Sequence, residues 1–238
     1  MMNRLLTLFF VLLFASIFVQ ACDTADEPID VLPTPDPTAT LIVYPDTATL
    51  FIVDRSESRA LYKINETFLE KVSLEVSNRE PGENKAVGNT PSLEGVLALD
   101  LNADPPKVIG GHFVAGLDFL RTNQPRRDER LRLRWLETNI YPTATFVLDE
   151  QTILEESYLS GDEVVFPLTG NMTVRNVTIP ITFTATASFD KTTGEIRASA
   201  DAPMLISAFG IEPPSLADIV TVDDEFEIGA VIVARLAE

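Results

Sequence analysis

The chain has 238 residues, and its 18 basic and 36 acidic side chains give a net charge of −18. This charge argues against DNA and RNA as partners, because nucleic-acid binding needs a basic surface. Its one His and one Cys cannot supply the three or four ligands of a Cys/His zinc site, and a lone Cys cannot form an intramolecular disulfide. With 45% apolar residues the chain can still build a core, so we predict an acidic, folded protein that is not an enzyme and holds neither a metal nor another cofactor.

We predict that residues 1–21 are a signal peptide. Arg4 is the only charged side chain before the apolar run Leu5–Val19, which is short for a membrane-spanning helix of about 20 residues. The sequence Val19-Gln20-Ala21-Cys22 then resembles the bacterial lipobox, in which the signal is cut before a Cys that carries acyl chains. This resemblance implies a lipoprotein of the cell envelope, anchored to the membrane through acylated Cys22 on the extracytoplasmic side. The alternative is an ordinary N-terminal anchor with a buried free Cys.

Residues 22–47 are predicted to be an acidic, Pro/Thr-rich linker. Positions 23–40 hold five acidic residues, four prolines and no basic residue. Such a stretch buries too little apolar surface to offset the entropy lost on folding, so we expect it to be disordered. It would act as a spacer before one folded domain at 48–238.

A period of two dominates the folded domain. From Val177 to Phe189 every position alternates between apolar residues and Thr, Ser or Pro, which predicts a strand with one buried face. Another strand is predicted over 164–174, joined to the first by a two-residue turn at Arg175-Asn176. Shorter alternating runs lie at 50–53, 60–64, 93–101, 109–119, 144–148, 196–200 and 226–234. About eight or nine antiparallel strands are typical of a β-sandwich or a closed barrel.

One segment, 125–138, has the pattern of a short helix instead. Pro125 suits the first helical position, where its missing N–H is not needed. Leu131 and Trp135 are four residues apart and would share one apolar side. We expect the helix to end before Tyr141-Pro142, because the residue before a proline avoids helical conformations.

Three blocks of the folded domain resemble the YceI-like family, and together they span roughly 50–236. The block that includes the helix is the most specific, and the other two are weaker on their own. The blocks are Arg126-Arg127-Asp128 with Trp135-Leu136 and Tyr141–Phe146, then Leu168–Val174 with Val177–Pro180, then Phe209-Gly210-Ile211 with Asp223–Ile228. The chain departs from the family at Glu57, Asn176 and Ile206, where relatives often have His, Gly and Arg.

This resemblance implies an all-β fold, a single antiparallel β-barrel similar to the lipocalins with one short helix and an elongated apolar interior. It also implies a carrier of polyisoprenoids, quinone-like molecules or other long-chain lipids, with no catalytic residues to assign. An eight-stranded barrel is about the size at which side chains either fill the interior or leave room for one ligand.

The apolar positions that face inward are the candidate ligand-binding residues. The alternative is that these side chains pack on one another as a solid core. Trp135 is included at the end of the barrel, where it would plug the opening. The candidates are Phe146, Val164, Phe166, Leu168, Met172, Ile179, Ile181, Phe183, Ile228, Ile232 and Trp135.

Six arginines fall between positions 121 and 134 of this acidic chain. Arg126, Arg127 and Arg130 are candidates for holding a phosphate or another polar head group of the ligand, because guanidinium groups bind such oxygens well. The alternative is a solvated helix face on which Arg132 pairs with Asp128.

Two further functions remain open beside the membrane-tethered lipid carrier. The protein could be a ligand-free module of the cell surface that displays barrel loops, such as 77–91, to another protein. A hydrolase would need two carboxylates that face each other in a pocket, and the alternation of residues does not show such a pair.

Overall fold

The computed structural model of the protein describes residues 43–69, 81–216 and 219–237. The predicted signal peptide and most of the predicted linker lie outside these residues, and so do positions 77–80 of the predicted loop. The first described strand begins at Thr49.

Strands dominate the described chain. Those of the first half are β1 (Thr49–Val53), β2 (Arg59–Phe68), β3 (Gly82–Thr90), β4 (Leu93–Asp100), β5 (Lys107–Gly116) and β6 (Thr143–Leu148). Those of the second half are β7 (Thr152–Ile153), β8 (Val164–Val174), β9 (Val177–Asp190), β10 (Glu195–Leu205), β11 (Ser215–Leu216) and β12 (Val220–Leu236).

The strands close into an antiparallel barrel. The hydrogen-bonded order is β1-β4-β5-β6-β8-β9-β10-β12, and β12 pairs back with β1. Further along β12, its partner changes from β1 to β2. The strand β3 pairs with β2, so β2 and β3 extend the wall that β1 and β4 begin. The predicted all-β, eight-stranded barrel is therefore confirmed, and the sandwich is excluded.

The prediction of a loop over 77–91 is wrong for residues 82–90, which form β3. Ala86, Gly88 and Thr90 point inward and are buried, whereas Lys85 and Val87 are exposed. The alternation is present, but the inward residues are too small to be recognised as a hydrophobic face.

In the alternating run at 109–119, Ile109 and Phe113 share one parity, which predicts that both face inward; this is wrong for Ile109. The pairing of β4 with β5 shifts register between Ala98 and Leu99, which leaves one extra residue in β5. Val108 is consequently the buried residue at this end of the strand. A β-bulge of this kind reverses the faces on either side of it.

The predicted helix is shorter than expected and changes its form. An α-helix, α1, spans Pro125–Arg130 with Pro125 in its first turn. It continues as a π-helical turn over Leu131–Trp135, and Glu137 then adopts a positive φ of 50° that ends the segment. The segment ends before Tyr141-Pro142, as the sequence predicts.

One end of the barrel is filled with side chains. The ring of Phe189 packs edge-on against Phe51 at 5.7 Å and stacks on Tyr158 at 5.9 Å between centroids. Tyr158 comes from a 3₁₀ turn, Glu156–Ser160, that packs against β9. These three side chains, together with Leu99 and Ile196, are almost fully buried, so this end of the barrel is a solid core.

Ser58 joins the two strands that share β12. Its buried hydroxyl donates to the Val233 carbonyl at 3.2 Å and accepts from the Val233 N–H at 3.0 Å. The residues between β1 and β2 break the β-ladder here, and this side chain replaces the missing backbone partner.

We expect Ser58→Ala to lower the free energy of unfolding by about 1–3 kcal/mol, because the buried Val233 N–H would lose its partner. The Val233 carbonyl keeps its bond from the Asp54 N–H at 2.8 Å. Urea unfolding followed by circular dichroism measures this loss. Ser56→Ala removes an exposed hydroxyl in the same turn and is expected to change stability by less than about 0.5 kcal/mol. Equal losses in the two variants would contradict this role of Ser58.

Candidate functional site

The other end of the barrel is hollow. A cavity of about 240 Å³ lies between the ends of the strands opposite the filled core. Its lining is apolar apart from Thr90, Thr145 and the phenol of Tyr62. No acidic or basic side chain of the described residues contributes to this lining, so the cavity offers no pair of carboxylates for hydrolysis.

Seven of the predicted ligand-binding residues line this cavity. They are Trp135, Phe146, Leu168, Met172, Phe183, Ile228 and Ile232. Their position makes them available to an apolar ligand, and their role in binding stays a prediction.

The other four predicted residues do not line the cavity. Val164 and Phe166 pair with Ala187 and Ala185 toward the filled end, where they belong to the solid core. Ile179 and Ile181 lie in the part of β9 that does not pair with β10, since that pairing ends at Thr184. Alternation along a strand shows which face is inward, but it cannot show which part of that face is filled.

Several lining residues come from irregular segments that the sequence pattern did not single out. The 3₁₀ turn Ile206–Phe209 packs against β9 and β10 where the two strands separate. Ile206 and Phe209 from this turn line the cavity together with Ile211 and Pro214. Such a segment has no period of two, so only its apolar content distinguishes it.

Three phenylalanine rings lie between the hollow and the filled ends. Phe146 packs edge-on against Phe183 at 4.9 Å and stacks near Phe113 at 6.5 Å between centroids. All three rings also line the cavity. We regard this layer as the floor of the site, because the strands run from it into the solid core.

The helical segment 125–136 covers part of the opening. Leu131, Trp135 and Leu136 line the cavity from this segment, and Leu120 does so from the chain before it. The Arg132 guanidinium donates to the Leu120 carbonyl at 2.9 Å, and does not pair with Asp128 as one interpretation of the sequence expected.

One side chain of α1 fastens this segment to the barrel, and the next one ties it to the chain just before the helix. Arg127 donates from Nη1 to both carboxylate oxygens of Glu66 in β2, at 2.9 and 2.7 Å. Asp128 is buried and accepts from the Thr122 N–H at 3.0 Å. The side chains of Arg127 and Glu66 are only 16% and 7% exposed, so most of this ion pair is removed from water.

The predicted head-group arginines therefore lie away from the cavity. The guanidinium of Arg127 already donates to Glu66, to the Thr122 hydroxyl and to the side-chain amide oxygen of Asn123, so a head group would have to compete for it. Arg126 and Arg130 are exposed and line no part of the cavity.

Tyr62 is the polar residue that separates the ion pair from the cavity. Burial raises its pKa to about 12, the nearby Arg127 lowers it, and the carboxylates of Asp128 and Glu66 raise it. The phenol therefore stays neutral at physiological pH. Its ring lies so close to Gly88 that a Cβ at that position would come within 2.2 Å of the Tyr62 Cε1 atom.

The departures from the family resemblance have separate structural roles. Glu57 forms ion pairs with Arg235 and Arg197 on the outside of the barrel. In the turn Arg175-Asn176 it is Arg175 that has the positive φ, of 57°, rather than the Asn that suits this conformation better. Ile206 adds an apolar side chain to the cavity.

The fold and the cavity together define a β-barrel protein with a partly hollow, apolar interior. Within this class the chain belongs to the YceI-like family, because the model of the YceI-like domain matches residues 62–234. The resemblance seen in the sequence is thereby confirmed. A comparison with curated protein sequences gave no match.

Two solved structures share the fold. The polyisoprenoid binding domain from Saccharophagus degradans, implicated in plant cell wall breakdown, is 13% identical, with a TM-score of 0.57 over 80% of this chain and 99% of that chain. BcnA of Burkholderia cenocepacia is 16% identical, with a TM-score of 0.50 over 76% of this chain and 98% of that chain. At these identities the likeness shows the fold alone.

The described residues contain no helix that is long and apolar enough to cross a membrane. They also contain no group of three or more His, Cys, Asp or Glu residues close enough to hold a metal ion.

We expect Arg127→Met to lower the free energy of unfolding by about 3–5 kcal/mol, because the buried Glu66 carboxylate would lose its counter-charge. Adding Glu66→Gln to this variant is expected to recover part of the loss, which a double-mutant cycle of urea midpoints would measure. Arg126→Met, at the exposed neighbour, is the control. An Arg127→Met variant as stable as Arg126→Met would show that the pair does not fasten the helix.

Proposed function

We propose that this protein binds a long-chain apolar ligand, such as a polyisoprenoid, a quinone-like molecule or a fatty lipid, and carries or holds it at a membrane. The observation that supports this most is the apolar cavity in one half of a barrel whose other half is packed solid. A small empty cavity destabilises a fold, so a cavity of this size is easier to explain as a binding site.

The size of the cavity limits how the ligand would bind. A volume of about 240 Å³ is just below the range of about 300–1,000 Å³ for small-molecule pockets. A buried methylene contributes about 0.8 kcal/mol, so even part of a prenyl or acyl chain would bind with useful affinity. We expect a section of the chain to lie inside the barrel, with the remainder at the opening.

The name of the Saccharophagus degradans domain, a polyisoprenoid binding domain, favours a prenyl chain as the first ligand to test. In this proposal the protein performs no catalysis, because holding an apolar chain requires only burial. Acylation at Cys22 would supply the membrane anchor, and the acidic linker would separate the barrel from the lipid surface. The location would then be the cell envelope.

A surface module without a ligand is the second candidate. Phe119, Leu133 and Ile140 are more than half exposed, and all three lie in the segment between β5 and β6 that covers the opening. Exposed apolar side chains of this kind favour contact with another protein.

The first experiment compares native and denaturing mass spectra of a version of the protein that begins at Asp23 and is purified without detergent. We expect an apolar ligand that is present at stoichiometric amounts and leaves on denaturation. Ala200→Phe should abolish binding, because this residue lines the cavity and the added ring would occupy it. Ser199→Phe places the same ring on the outer, exposed face of β10 and should bind normally. A bare polypeptide that also ignores added prenyl and acyl lipids would favour the surface module.

We expect Cys22→Ser to abolish metabolic labelling by radioactive palmitate. The reason is that the thiol of Cys22 is the proposed attachment point of the acyl chains. Labelling of the unmodified protein in parallel is the control. Palmitate incorporation that survives in the Cys22→Ser variant would contradict the anchor.

A further inference from the structure

A second, polar cavity of about 350 Å³ adjoins the apolar one. Both cavities are lined by Trp135, Ile211 and Pro214, so these three residues form the boundary between them. Charged side chains enter only on the outer side of this boundary, from Arg134, Arg175 and Glu212. We call this outer cavity the vestibule.

Arg175 lines the vestibule, but its charge is already paired. It lies in the turn between β8 and β9, its Nη2 forms an ion pair with Glu137, and its guanidinium carbon lies 5.8 Å from the centre of the Tyr141 ring. Its Nε is buried and has no hydrogen-bond partner among the described residues. A buried donor without an acceptor is costly, and it is one of the few such groups a native structure retains.

Arg134 brings a free cation. It is exposed on the π-helical turn beside Trp135, and no ion pair or hydrogen bond of its guanidinium is found within 43–69, 81–216 and 219–237. Glu212 is the acidic residue that the described chain contributes to the same lining. Glu137 already balances Arg175, so Arg134 and Glu212 are the charges that a bound head group would meet.

We propose that the vestibule binds the acidic head of an amphiphile whose apolar chain occupies the barrel cavity. This inference rests on the proposed function. The unpaired guanidinium of Arg134 favours an oxygen acceptor and repels an ammonium head. Glu212 opposes a second negative charge, so the fitting head carries one, as a carboxylate or a phosphodiester does.

The two arginines of this vestibule are far apart in sequence, and neither is one of the three that the sequence suggested. Arg134 belongs to the same cationic run as Arg126 and Arg130, but the π-helical turn places it beside Trp135. Arg175 reaches the vestibule from a hairpin turn, for which no pattern in the sequence indicates a role in binding.

Trp135 makes the test direct, because it is the only tryptophan of the chain and lies at the boundary of the two cavities. The full chain in lipid nanodiscs is titrated with cis-parinaric acid, whose polyene accepts energy from tryptophan, and with the corresponding alcohol. We expect the acid to bind about tenfold more tightly than the alcohol, as one charged hydrogen bond predicts.

The variants separate the head group from the chain. Arg134→Gln is expected to remove most of the preference for the acid while leaving the affinity for the alcohol unchanged, and Glu212→Gln is expected to tighten binding of the acid. Arg130→Gln makes the same charge change on α1 outside both cavities and should have no effect.

The outcomes distinguish the head-group site from the carrier function. Equal binding of acid and alcohol to the unmodified protein, or an acid preference that Arg134→Gln leaves intact, would overturn the head-group site and leave the carrier function standing. Energy transfer to neither probe would overturn both.

Discussion

The closure of the barrel by β12 is the constraint on which the rest of the structure depends. This 17-residue strand pairs with β10 on one side and with β1 and then β2 on the other. If these pairs were lost, β1 and β10 would expose unpaired edges, and the interior would open to water. Ser58 lies between β1 and β2, where the partner of β12 changes from one strand to the other, and its bonds to Val233 hold this junction together.

The closed wall is filled unequally, and this inequality creates the site. Aromatic rings at Phe51, Tyr158 and Phe189 occupy one end, whereas the inward positions of β10 and β12 near the other end include Ala200 and Ala230. Small residues in the walls leave space that the covering helix does not fill. The Arg127–Glu66 pair holds that helix over the opening, so the same charges that stabilise the fold also shape the cavity.

The sequence was sufficient to predict the strands, the turn at Arg175-Asn176 and the helix at Pro125, because each depends on a local pattern. The pattern left a sandwich or a barrel open, and the family resemblance indicated the barrel. The pattern identified the inward face of β8 and β9. It did not show which inward residues line the cavity, as Phe183 does, and which belong to the solid core, as Phe166 does. The strand β3 escaped notice because Ala86, Gly88 and Thr90 are small, and Ile109 was misplaced by a bulge. The vestibule depends on Arg134 and Arg175 meeting across the fold, which no local pattern can show.

The solid core makes the barrel a tunnel with one blind end. The described chain joins the barrel through β1, at that blind end, so the opening faces away from the point where the chain enters. A linear amphiphile would have to enter with its tail first and leave along the same path in reverse. Its head would then be the last part to arrive and the first to depart, which makes the residues at the opening the ones that control how long the ligand stays.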